Sequence, residues 1–126
     1  MKNALALAGL ALAFIASPAL AQSLTDLYND ALTEADAGSS KVDDSDWQFR
    51  DGNVSEGCEL MEEGRVHYEK AYGDMQQMDQ MVNDPANGYS ADDQQKIMDW
   101  IGQQKETLDP LAQRMSDTYF EKCKPQ

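Results

Sequence analysis

Apolar residues recur at helical spacing over most of this 126-residue chain, and no stretch shows the two-residue alternation of a strand. Leu24, Leu27, Tyr28, Ala31, Leu32 and Ala35 fall at i, i+3, i+4, i+7, i+8 and i+11, a set that only a helix gathers on one face. The pattern predicts a first helix over about 24–37, with Ser23 as N-cap, Asp26 in the first turn and Gly38 as a left-handed C-cap. From Gly38 to Asn53 the periodicity dissolves into Ser, Asp and Gly, which predicts a loop over 38–53. Its two aromatics, Trp47 and Phe49, either pack on neighbouring helices or anchor a binding partner.

A second helix is predicted over about 54–82, capped by Asn53 or Ser55. Val54, Met61, Tyr68, Met75 and Val82 recur every seven residues, while Gly57, Gly64, Ala71 and Met78 occupy the complementary seam position. Large and small residues therefore alternate along one stripe. Each glycine costs up to ~1 kcal/mol of helix propensity, so packing must hold this helix together.

Asn83 to Gly88 has the composition of a turn, and Ser90 with Asp92 and Asp93 opens a third helical stretch. Its apolar face runs through Ile97, Ile101, Leu108, Leu111, Met115 and Tyr119, interrupted by Pro110. The helix either kinks there or gives way to a fourth with Asp109 as N-cap, dividing the stretch into 91–108 and 110–123.

The fold class is thus all-α: a small antiparallel hairpin or bundle of three to four helices. One disulfide, Cys58 to Cys123, is expected to staple it. Closing a 65-residue separation removes unfolded-state entropy worth roughly 4 kcal/mol. A straight hairpin does not bring the two cysteines level. From Cys58 to the end of the second helix is about 36 Å, whereas from Ala91 to Cys123 is about 48 Å. The remaining ~12 Å exceeds what a disulfide spans, so a bend at Pro110 is predicted to carry Cys123 back over Cys58.

The first 21 residues change this picture. Lys2, an Ala/Leu-rich uncharged run and the Ala19-Leu20-Ala21 site have the layout of a cleavable signal peptide over residues 1–21. Removal leaves one acidic helical domain, 22–126, in an oxidising periplasmic or extracellular compartment with no membrane segment. The whole chain carries a formal charge of −13, and losing Lys2 makes the mature domain more acidic still. Its Leu, Ile, Val and Phe together fall below the ~20% that, with high net charge, marks disorder. The disulfide is therefore expected to decide whether the domain folds. Such a charge repels phosphate backbones and excludes nucleic acid as a partner class.

Few residues offer chemistry. One histidine and two cysteines exclude a four-ligand Cys/His zinc site. No nucleotide loop, haem-attachment or hydrolase motif is present, so no catalytic residue and no cofactor are implied. Met75, Met78 and Met81 recur every third residue, a spacing of soft thioethers that suits Cu(I) and equally suits core packing. Glu63 and His67 stand four apart, the spacing of a helical chelate or of a solvated pair. Asp51, Asn53, Ser55, Gly57, Glu59 and Glu62 fall in an EF-hand-like register, with Glu56 where the sharp turn wants glycine.

The segment Tyr89-Ser90-Ala91-Asp92-Asp93-Gln94-Gln95-Lys96-Ile97 resembles the Leu-Thr-x-x-Gln stretches of periplasmic stress chaperones of the Spy/CpxP type. The likeness covers fewer than ten residues and has Tyr-Ser in place of Leu-Thr. It implies a small exported helical protein that binds other proteins. Charge and the lack of catalytic motifs lead to the same expectation: a non-enzymatic factor that binds a cationic protein as an inhibitor, a sequestering protein or a chaperone. A Met-based copper-binding module is the alternative.

Overall fold

The computed structural model describes residues 18–123, so the leader predicted over 1–21 lies outside the described residues as far as Ser17. Its last four residues form the first turn of a helix. Three helices make up the described chain: α1 (Pro18–Arg50), α2 (Val54–Asn83) and α3 (Ala91–Lys122), with a short 3-10 turn at Pro85–Asn87 between the last two. None of them is long and apolar enough to cross a membrane.

The predicted loop over 38–53 is instead the second half of α1, which runs unbroken to Arg50. The reason lies in a seam that continues through small residues. Leu24, Ala31, Gly38 and Ser45 form one seven-residue series and Tyr28, Ala35, Val42 and Phe49 the other, so the 3–4 spacing never lapses. Gly38 is no helix cap. A Cβ there would lie 2.6 Å from Tyr68 Cδ1 and 3.2 Å from the Gly64 carbonyl oxygen, so glycine lets α1 and α2 touch backbone to backbone. Ser23, likewise, sits inside α1 and does not begin it.

Asp51-Gly52-Asn53 reverses the chain, with Gly52 at φ 86°, a left-handed conformation that favours glycine. The Asn53 N–H donates to the Gln48 carbonyl at 2.8 Å, and the Asn53 side chain also turns back to Gln48 instead of capping α2. The helices then run antiparallel: Phe49 covers Gly57, Lys41 pairs with Glu63 at 2.8 Å, and Glu34 meets His67 at 2.6 Å. The alternating stripe on α2 thereby acquires two partners. Its glycines face α1, while Met61 and Tyr68 also form a wall toward α3.

α3 opens as predicted, with the Ser90 hydroxyl accepting from the Asp93 N–H at 3.1 Å. It does not break at Pro110. One helix spans Ala91–Lys122, and the proline ring sits on the solvent side, where loss of one backbone hydrogen bond leaves a carbonyl open to water. The cysteines nevertheless meet, with Cα atoms 5.6 Å apart.

Register, not a bend, closes the gap. Asn83 contacts Met98, the Tyr72 hydroxyl donates to Asp109, and Cys58 bonds Cys123, so equal numbers of residues separate successive contacts on both helices. Asn83, the last residue of α2, is level with Met98 rather than Ala91. The first two turns of α3 overhang the end of α2 by about 10 Å, most of the mismatch. Near this end α3 and the residues just before it meet α1: Trp100 lies tilted against Tyr28 with ring centroids 4.8 Å apart, and the Tyr89 hydroxyl donates to the Leu20 carbonyl at 3.5 Å.

Candidate binding cleft between α2 and α3

Toward the disulfide end, the α2 and α3 backbones stand far enough apart to leave a cleft of about 290 Å³. α2 lines it with Met61, Tyr68 and Tyr72, at i, i+7 and i+11, and α3 with Ala112, Met115 and Tyr119, at i, i+3 and i+7. These spacings place each trio on one helix face. Phe120 closes the outer edge and is 62% exposed, with Tyr119 beside it at 38%. Cys58 and Cys123 each lie one turn from this lining, so the disulfide fixes the end of the cleft.

The rim is charged. Arg65 lies between Glu62, one turn before it, and Glu69, one turn after, and pairs with both; its Nε donates to Glu62 at 3.0 Å. Hydrogen bonding to Arg65 holds the Glu62 carboxyl below its ordinary range, and the two carboxylates keep the guanidinium firmly protonated. Deeper in, Tyr68 and Ser39 share a hydrogen bond of 2.9 Å that ties the cleft wall to α1. Burial raises the pKa of both Tyr68 and Tyr72, and at Tyr72 the bond to Asp109 adds to it. Both phenols therefore remain neutral across the physiological range, and Tyr72 donates to Asp109. The arrangement offers an apolar slot and two hydrogen-bonded phenols, with Glu62, Arg65 and Glu69 at its rim.

The residues singled out by sequence fall in several places. Cys58 and Cys123 are bonded to each other. Phe49 lies against Gly57 under Lys122, whose Nζ is 5.6 Å from the ring centroid, whereas Trp47 is 60% exposed beneath the Arg50 guanidinium. Both stand on helix α1, not on a loop. Met75 and Met78 are fully buried in the core, while Met81 is partly buried and edges a wider, open polar depression with Ser23, Asp26 and Gln77. His67 pairs with Glu34 of α1, and Glu63 with Lys41, so the two do not pair with each other. The EF-hand-like register runs into α2 from Val54 onward, which leaves no loop to wrap an ion. Among the described residues no group of three or more His, Cys, Asp or Glu side chains is placed to hold a metal.

Sequence reasoning missed Arg65, Tyr72, Ala112 and Phe120 as parts of one site. The signal was partial: Met115 and Tyr119 stand in the apolar series of α3, but only the interhelix spacing creates the cleft. Comparison with known protein families, with characterised proteins and with solved structures finds no match to this chain.

Proposed function

We propose that the protein is an exported, non-enzymatic binding factor that holds an apolar-anchored segment of a cationic protein in the α2–α3 cleft, as an inhibitor, sequestering protein or chaperone does. The observation that carries this reading is the cleft itself: a carbon-lined slot with Phe120 and Tyr119 at its mouth, on a chain whose 23 acidic residues outnumber its 10 basic ones. Aromatic side chains at a slot supply contact area, and the surrounding negative charge speeds encounter with a basic partner.

Export rests on the Ala/Leu-rich leader and its Ala-x-Ala site, and the disulfide suits an oxidising compartment. Cleavage after Ala21 removes the first turn of α1 and with it the Leu20 carbonyl that Tyr89 engages. The burial of Met75 and Met78 is accounted for by core packing, so the copper alternative gains no support from their position.

The test is capture of partners from an exported-protein fraction by the mature protein and by a Tyr119→Ser/Phe120→Ser variant, at low and high salt. A specific partner should be basic, weaken as salt rises and be lost from the variant. Capture that ignores both salt and the double substitution would remove the cleft from consideration.

A further inference from the structure

The start of α1 holds a residue whose chemistry changes once the leader is removed. Cleavage after Ala21 makes Gln22 the first residue of the mature chain, and Leu24, only 1% exposed, anchors the helix in the core two residues later. The new end is thus tied to the bundle yet open to water: Gln22, Ser23 and Asp26 are exposed, and the last two border the open depression beside Gln77 and Gln80. The Gln22 carboxamide donates from Nε2 to Asp26 Oδ1 at 2.8 Å, a surface bond between successive turns. Asp26 lies one turn further along the helix, so this bond draws the carboxamide away from the backbone nitrogen of Gln22 itself.

We propose that Gln22 is a modification site: on the mature chain it closes to pyroglutamate, with Asp26 as the brake on closure. Closure presupposes the proposed export and cleavage after Ala21. The Gln22 α-nitrogen attacks its own side-chain Cδ and forms a lactam ring; the Cδ–Nε2 bond breaks, and Nε2 leaves as ammonia with the proton that the α-nitrogen gives up. No oxidant, cofactor or second substrate is needed. An α-amine titrates at ~8, so part of it is a neutral nucleophile at physiological pH. The helix macrodipole disfavours an ammonium at an N-terminus, and closure replaces that cation with a neutral N–H. An acidic chain thereby loses one more positive charge. Asp26 opposes closure twice: it holds the carboxamide, and its carboxylate favours the unreactive ammonium one turn away.

The test expresses the full chain, leader included, in an exporting host and follows the intact mass and N-terminal sequence of the purified protein over days at neutral pH. The expected product is a chain of residues 22–126, lighter by one ammonia and blocked to stepwise N-terminal degradation, whereas a Gln22→Ala chain stays unblocked. Asp26→Ala should close about twofold faster, the effect of losing one surface Gln–Asp bond on a helix. A chain cut after Ala21 that keeps an open Gln22 would overturn the proposal and leave export standing. A retained leader would overturn both, and a cut at another bond would refute Gln22 as the mature end; mass tells these apart. Equal rates for wild type and Asp26→Ala would refute the brake.

Discussion

The two sides of α2 solve the same packing problem in opposite ways. Toward α1 the seam is built from Gly38, Gly57, Gly64 and alanines, and the helices approach until a single added Cβ would collide with a neighbouring ring. Toward α3 the disulfide-end contact is built from Met61, Tyr68, Tyr72 and Met115, long side chains that hold the backbones apart and leave about 290 Å³ unfilled. Small residues give closeness without a cavity. Large, flexible ones give a cavity, and that side alone carries a covalent tie.

Removing the tie should have the largest effect. A Cys58→Ser/Cys123→Ser variant releases a 65-residue separation and should lose roughly 4 kcal/mol, a large share of a small domain's stability. The comparison predicts where the loss appears: amide exchange should rise first in the last turns of α3, with the glycine seam protected longer. Uniform exchange along all three helices would erase the distinction between the two sides.

Gly38→Leu attacks the close side directly. Its side chain must displace Tyr68, so about 3 kcal/mol should be lost in denaturant unfolding, from overpacking and from the broken Ser39–Tyr68 bond. A near-neutral result would show that the helices can part at no cost, and the seam would cease to be the rigid half.

Ser45→Ala should stabilise by about 1 kcal/mol, because the Ser45 hydroxyl is buried in that seam without a hydrogen-bond partner. Loss of stability would indicate that the hydroxyl is satisfied by water. The smallest effect is expected at the mouth of the cleft. Phe120→Ser should change stability by less than about 0.5 kcal/mol while reducing partner capture, since the ring is 62% exposed.

The legible parts of the fold were those where apolar pattern and burial coincide. The α2 stripe, the Ser90 cap, the Asn83–Gly88 turn and the cysteine pairing all follow from residue type and spacing. The second half of α1 did not, for a specific reason. At Gly38 and Ser45 the seam uses residues that turns also prefer, so a tightly packed helix has the composition of a loop. Trp47 drew attention because it is aromatic, yet it lies outward beneath Arg50, and Phe120 carries more of the cleft.

By itself, then, the sequence determined an acidic, all-helical chain with one cysteine pair and a central helix striped with large and small residues, because these depend on local periodicity and on counting. Tertiary structure decided two further things. It set the overhang of α3 that aligns the cysteines without a bend and the separation of α2 from α3 that opens a cleft. Each depends on the distance and register between helices. Those are fixed by the fit of many side chains at once, a sum that no single helical pattern records.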